Sequence, residues 1–379
     1  MDTHSLKVIE LSGTPRERGR IHGEELREHI RAVLEITKSG IEKNLSIDPA
    51  HYIRDFLAYS NFESGIQQYA PDILEEVEGL AEGAAIDTDT ARYLQLTDED
   101  WVFRQKVYPE LSNAGDNCTA FALKNSSGVL ARQNMDINYV DGYQVLFHIR
   151  YPDRELESFV YSIAGLIALN GMNSAPLGIC CNTLMELYST QFGLPVQFIV
   201  RKVLECTSFD SAREFLRKIT HASGQNYIIA TAESFGSFEC SANEVTEFIP
   251  YPNSPAVCHS NSPLASRDID PDAMARFKSQ AGLDENFKAR YESIWRRLGD
   301  AGRDHTIEDA KAALSAHDDR ANPVSRTFDP ESGEKFLGYT AGSMIYQLDR
   351  KNPVLHLASG PPCQTEYRKF RFSDLWLMQ

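Results

Sequence analysis

A layered α+β fold is what this sequence predicts, and three observations predict it. Helical and strand-like blocks follow one another in long runs: helices, strands, helices, strands, helices, strands. Short turn sequences join the strand-like runs, which suits antiparallel hairpins covered by helices better than strict βαβ alternation. A hydrophobic content of 42% against 24% charged residues gives 379 residues a sizeable core, in one large domain or two smaller ones. Two stacked sheets are compatible with this pattern, but the pattern does not fix the stacking.

Each block has its local reason. Residues 1–110 read as mainly helical. In "TPRERGRIHGEELREHIRAVLEITKSGIEKNL", Ile21, Leu26, Ile30, Val33, Leu34 and Ile36 recur at helical spacing, and Thr14, Pro15 and Glu17 suit a helix start. "APDILEEVEGLAEGAAI" carries a stripe of Leu74, Val77, Leu80, Ala81 and Ala84, with Pro71 and Asp72 in its first turn. From Gly115 the runs "CTAFAL", "GVLARQN", "YQVLFHIRY", "ESFVYSIAGL" and "LGICCNTL" are apolar, β-branched or aromatic, and read as strands. "NSSG" between the first two is a hairpin turn. Residues 192–221 return to helical spacing, with Asp210 or Ser211 near a helix cap. Strands resume at "NYIIATA", "GSFECSA", "VTEFIPY" and "AVCHSNS", residues 266–320 are charged and helical, and "GSMIYQLD" with "VLHLAS" makes a last strand pair.

Charge and composition exclude several classes. Asp plus Glu number 54 against 38 Lys plus Arg, a net charge of −16 that repels phosphate backbones and argues against nucleic-acid binding. No run approaches a membrane span, and the start "MDTHSLKVIELSG" lacks a basic region followed by a long apolar one, so the expectation is a cytoplasmic protein without a membrane. Seven cysteines without C-x-x-C pairs read as reduced thiols, not a disulfide framework or a zinc cage. There is no phosphate loop, dinucleotide fingerprint, H-E-x-x-H or G-x-S-x-G, and no metal or cofactor is expected.

The chemistry that remains centres on Cys118. A cysteine attacks carbonyls as thiolate, and its ordinary pKa near ~8.5 calls for a base. His148, His221 and His259 are distant in sequence but could reach it in space. A second route needs no histidine. If the chain is cut before Cys118, the new α-amine, with a pKa near ~8, takes the thiol proton, and nucleophile and base belong to one residue. The thiol can make that cut itself at the Asn117 carbonyl, helped by the turn residues of "NAGDN". Against both stands the ordinary reading of Cys118 as a buried strand residue.

Three segments tip the balance. "GTPRERGRIHGEEL" (13–26), "DNCTAFALKNSSGVLARQNMD" (116–136) and "LNGMNSAPLGICCNTL" (169–184) resemble the isopenicillin N acyltransferase family, peptidase family C45 of the N-terminal-nucleophile hydrolases. "YAPDILEEVEGLAEGAAID" (69–87) resembles that family's second helical segment, and weaker similarity runs on to the last hairpin. The resemblance implies the αββα sandwich of two stacked antiparallel sheets between helical layers. It implies Cys118 as nucleophile and new N-terminus, Asp136 beside the cysteine amine, and Asn261 as side-chain oxyanion donor. Asn173 is implied as a backbone oxyanion donor, and Arg326 lies near the substrate pocket. Taken residue by residue, Asp136 is otherwise a turn residue, Asn261 an Asx-turn before Pro263, Asn173 a hairpin-turn asparagine and Arg326 a surface ion-pair partner. The family pattern has Gly before the cysteine where this chain has Asn117. His22 and Glu17 are expected to pack and cap the first helix, and Cys180 and Cys181 to fill the core.

The resulting expectation is a self-processing amidohydrolase. Residues 1–117 become a small chain and 118–379 a large one, held together as one structural domain, and a small-molecule amide or N-acyl substrate passes through an acyl-Cys118 intermediate. Transfer of the acyl group to an amine, from an amide or an acyl-CoA thioester, is the alternative, though no coenzyme A signature is visible. An unprocessed binding protein is the second alternative. The oligomeric state stays open, a homo-oligomer included.

Overall fold

The computed structural model describes residues 6–109, 117–137, 142–280, 282–300, 303–328 and 339–373. Fourteen strands in this set form two sheets. The first is eight-stranded, in the order β1 (Lys7–Leu11), β4 (Gln144–Tyr151), β5 (Leu156–Ile163), β6 (Asn170–Asn173), β7 (Leu177–Thr183), β8 (Gln225–Thr231), β9 (Phe235–Cys240) and β10 (Val245–Phe248). The second is six-stranded, in the order β11 (Ala256–His259), β2 (Asn117–Asn125), β3 (Gly128–Ile137), β12 (Tyr339–Leu348), β13 (Val354–Ala358) and β14 (Arg368–Arg371). Every pairing is antiparallel except β1 with β4.

The pleat of β2 decides the layering, because successive side chains point to opposite faces. Cys118, Ala120 and Ala122 join the large core between the sheets, while Phe121 and Leu123 join a second core against helices α11 (Leu283–Leu298) and α12 (Ile307–Leu314). On the far side of the eight-stranded sheet, the β4 side chain Phe147 meets the ring of His22, 4.5 Å away, on α1 (Pro15–Glu25). The same layer holds α2 (Arg27–Leu45), α3 (Pro49–Tyr59), α4 (Phe62–Tyr69), α5 (Pro71–Ala84), α6 (Thr88–Leu94) and α7 (Thr97–Val107), whose apolar faces belong to the large core. Helices α8 (Val196–Val203) and α9 (Phe209–Lys218) add to it, and α10 (Pro271–Ser279) precedes α11. Helices outside two stacked sheets make an αββα sandwich.

Local chemistry explains the element ends. Thr14 caps α1 through a capping box with Glu17, as the sequence predicts, and His22 accepts a hydrogen bond from the Gly165 N–H at 3.1 Å. The α9 cap is Ser208 with Ser211 at the reciprocal position; Asp210 is already inside the helix. Asn125 pairs with Gly128 across a two-residue Ser126–Ser127 turn, and Gly128 takes φ +131° there. Helices α1 and α5 cross at contact distance because glycines face the partner backbone. A Cβ on Gly19 would lie 1.8 Å from the Glu76 carbonyl oxygen, and one on Gly79 2.1 Å from that of Arg16. Strand β1 departs from the mainly helical reading of residues 1–110: Lys7–Leu11 pairs in parallel with Val145–Ile149 and ties the N-terminal segment into the first sheet.

Candidate active site

Cys118 is the second residue of β2, opposite Met135 on β3, and is 5% exposed. Its Sγ lies 3.4 Å from Met135 Sδ. Its backbone is held at both ends. The Cys118 N–H donates to Asn261 Oδ1 at 2.8 Å, and the Cys118 carbonyl accepts from Arg290 Nη1 at 2.7 Å. Arg290 also donates to Asn261 Oδ1 at 2.9 Å and to Thr119 Oγ1 at 2.6 Å. Asn261 Nδ2 in turn donates to the Thr183 carbonyl at 3.1 Å. Asn261 is therefore a long-range clamp on the cysteine and not the local Asx-turn that its place before Pro263 suggests.

The loop carrying Asn261 is pinned from below. Glu239 on β9 accepts from the N–H groups of Leu264, Ala265 and Ser266 and from the ring of His259. Despite burial, the hydrogen bond and charge of His259 and these N–H groups hold the Glu239 carboxyl below its ordinary range. Arg290 is fully buried on α11, on the stripe formed by Phe287, Ile294 and Leu298, and Asn286 Oδ1 accepts from its Nε at 2.9 Å. Burial drops the Arg290 guanidinium to about 10, with Asp136 opposing that fall.

Asp136 pairs with Asn117 across β2 and β3, one residue from the cysteine's own partner, so its side chain lies on the opposite face of the sheet from Met135. It is fully buried. Oδ1 accepts from Thr340 Oγ1 at 2.5 Å, while Oδ2 has no hydrogen-bond partner. Burial raises its carboxyl to about 6, against the pull of Arg326 and Arg290. Arg326 is 7% exposed and is joined to the same threonine: its N–H donates to Thr340 Oγ1 at 2.9 Å, and its Nη1 is buried without a partner. The ordinary role of a surface ion-pair arginine does not fit that burial.

The remaining candidates lie elsewhere. Asn173 ends β6, where its side chain bonds the Leu204 and Cys206 carbonyls and the Ala175 and Leu177 N–H groups. These four bonds give it a turn-holding place, and none joins it to Cys118. The histidines considered as bases are engaged away from the thiol: His148 with Glu157, His221 with the Leu216 carbonyl, His259 with Glu239. Cys180 and Cys181 are buried on β7, and burial raises both thiols. The turn residues just before Asn117 lie outside the described residues. Among the described residues no group of three His, Cys, Asp or Glu side chains could hold a metal, and no helix is long and apolar enough to cross a membrane.

Arg290, Thr183 and Glu239 are absent from the sequence reading. A signal existed for Arg290: an arginine on the buried stripe of an otherwise solvated helix is a charge drawn inside for a reason.

A buried cysteine as second residue of an inner strand, in an αββα sandwich, is the arrangement expected for the N-terminal-nucleophile hydrolase class of fold. The model of the acyl-coenzyme A:6-aminopenicillanic acid acyl-transferase family matches residues 123–300. The acyl-coenzyme A:6-aminopenicillanic-acid-acyltransferase 40 kDa form of Emericella nidulans is 26% identical over 210 residues, 54% of this chain and 55% of that protein. Protein dcd1A of Dictyostelium discoideum is 26% identical over 255 residues, 57% of this chain and 53% of that protein. The likeness to that family is confined to these stretches, and the chain spans about half the length of the curated relatives it matches. Among solved structures, a mutant conjugated bile acid hydrolase from Clostridium perfringens aligns with TM-score 0.47 and 13% identity over 68% of this chain and 93% of that one. Penicillin V acylase from Agrobacterium tumefaciens aligns with TM-score 0.42 and 15% identity over 68% of this chain and 86% of that one.

Proposed function

We propose that this chain is a self-processing N-terminal-cysteine amidohydrolase. The observation that carries the reading is the two-sided hold on Cys118, whose own N–H and carbonyl are gripped by the Asn261–Arg290 pair. Every buried backbone N–H and C=O needs a partner; here side chains provide them, and they stay in place when the nitrogen becomes a free amine.

The steps follow from those contacts. The Cys118 thiolate adds to the Asn117 carbonyl, the C–N bond breaks, and the acyl group passes from nitrogen to sulfur. Water then cleaves the thioester, leaving a carboxylate on Asn117 and a free α-amine on Cys118. That amine keeps its hydrogen bond to Asn261 Oδ1, so it stays oriented over its own thiol. In turnover it takes the thiol proton, Sγ adds to the substrate carbonyl, and the second Nδ2 proton of Asn261 stabilises the oxyanion. The proton passes from the α-amine to the leaving amine as the C–N bond breaks, and water releases the acid from acyl-Cys118. Asp136 and Arg326, joined through Thr340 beside residue 117, set the charge around the new terminus. Asn173 contributes by holding the β6–β7 turn, with its backbone N–H as second oxyanion donor in this reading. The substrate is a small-molecule amide or N-acyl compound, and residues 1–117 and 118–379 stay associated after the cut. Acyl transfer has its own support in the family name, that of an acyl-transferase.

Denaturing mass spectrometry tests the first step. The wild-type chain should give two fragments, the larger beginning at Cys118, and Cys118→Ala one intact chain of 42.6 kDa. A Cys118→Ala protein that still splits there sinks the reading. Acid and amide products measured with and without an added amine then separate hydrolysis from transfer.

A further inference from the structure

A narrow cleft adjoins the grip on Cys118. Thr183, whose carbonyl holds Asn261, lines it, and so does Phe287, whose ring lies 5.3 Å from the Arg290 guanidinium carbon. The room it leaves is small, about 20 Å³, enough for a water- or ammonium-sized head, and it is partly open to solvent. Its walls include Trp101 and the stacked pair Phe277 and Phe287, with centroids 5.6 Å apart. Among these apolar surfaces are two acceptors that lack donors. Glu186 is 1% exposed and its Oε2 has no hydrogen-bond partner; Gln280 Oε1 is likewise buried and unpartnered.

An unpaired carboxylate oxygen in a buried site is costly, and two vacant acceptors ask for a group with several donors and no acceptor. A primary ammonium has three donors, and aromatic faces attract it. Burial, with Asp284 and Glu239 nearby, pushes the Glu186 carboxyl up to about 7 against the pull of the Ser262 hydroxyl, and a cation alongside reverses that shift. The net charge of −16 draws a cation toward the chain and repels an anion.

We propose that this cleft is the recognition subsite of the enzyme and that Glu186, with Gln280, selects amides whose acyl or amine half ends in a primary ammonium on a short apolar arm. The inference rests on the amidohydrolase reading, since it takes the carbonyl beside the cleft to be the one Cys118 attacks.

Two matched probe pairs test it. One is 6-aminohexanoyl-p-nitroanilide against heptanoyl-p-nitroanilide; the other is N-acetyl-1,5-diaminopentane against N-acetylhexylamine. Turnover of each pair is measured on the processed wild-type enzyme, and binding by calorimetry on the full-length Cys118→Ala chain. The ammonium probe of at least one pair should be favoured about tenfold or more, as a charge-assisted hydrogen bond allows. Glu186→Gln should cut that preference about tenfold, and Glu186→Leu should reverse it in favour of the methyl-ended probe. Unchanged melting temperatures of both variants establish that they fold. Turnover with no preference beyond twofold in either pair overturns the inference and leaves the amidohydrolase reading standing. Absence of processing and turnover, with the ammonium preference kept in binding and lost in a Glu186→Gln, Cys118→Ala chain, overturns the amidohydrolase reading and supports the cleft assignment. A preference that survives Glu186→Leu overturns the role of Glu186.

Discussion

Two buried carboxylates divide this molecule. Glu76, on α5, receives Arg201 through two parallel bonds of 2.6 and 2.8 Å and Arg18 at 3.0 Å, so both of its oxygens are engaged. Those charges hold its carboxyl below the ordinary range despite complete burial. Asp136 also has two arginines nearby, but one oxygen is bonded to Thr340 and the other to nothing, and its carboxyl rises to about 6. The contrast separates two uses of buried charge. A fully matched cluster joins α1, α5 and α8 into one layer, whereas an undermatched one leaves a carboxylate able to respond to a new charge beside it.

The largest expected effect attacks the matched cluster. Glu76→Ala should leave Arg18 and Arg201 buried without their partner and cost about 3–5 kcal/mol in urea unfolding. Next comes the grip on the cysteine. Asn261→Ala should lower turnover of processed enzyme by about 10²–10³, equivalent to about 3–4 kcal/mol of barrier, while its unfolding midpoint moves far less. An intermediate loss should follow Gly19→Ala, whose new Cβ meets the Glu76 carbonyl and must push α1 off α5; about 3 kcal/mol is expected in thermal unfolding.

The smallest effect is a difference in pH slope, and its signs oppose. Because folding raises the Asp136 carboxyl above its unfolded value near ~4, its share of stability is complete below that pH and disappears as pH climbs through about 6. Relative to Asp136→Asn, the wild type should lose about 3 kcal/mol over that window. Glu76 behaves the other way: its contribution is present above the unfolded value near ~4.3 and fades as pH falls through its lower folded value. Unfolding midpoints of wild type, Asp136→Asn and Glu76→Gln measured between pH 3 and 8 check both signs, and parallel curves would erase the distinction between the clusters.

Much of this is legible in the sequence alone. Local signals carried the helices and hairpins: the Thr14 capping box, the NSSG turn and the stripe on α5 depend on neighbours within a few residues. Strand β1 was missed because five residues of mixed pattern gain their identity only by parallel pairing with β4, well over a hundred residues away. Strand β14 escaped for the same reason, since "RKFR" buries one side chain of four. In the site, motif likeness pointed to Cys118, Asp136 and Asn261, and the fold sets Asn261 on the Cys118 nitrogen and Asp136 across from Asn117. Arg290 shares α11 with Lys288, Arg296 and Arg297, and its place on the stripe of Phe287, Ile294 and Leu298 is what marks it as the one that turns inward. Glu186 is better hidden, because its solitude follows from what fails to face it.

One wall of the proposed recognition cleft lies on the other side of the proposed cut from the rest. Trp101 lies on α7, upstream of Cys118, and Phe277 and Phe287 lie downstream. Asp98 and Glu99 on that helix bond to Thr183, Gln225 and Ser223. If the backbone opens at residue 118 as proposed, selectivity becomes joint property of two polypeptides stitched by those carboxylates. Swapping the smaller piece between related enzymes would then re-tailor what the nucleophile accepts without touching the nucleophile.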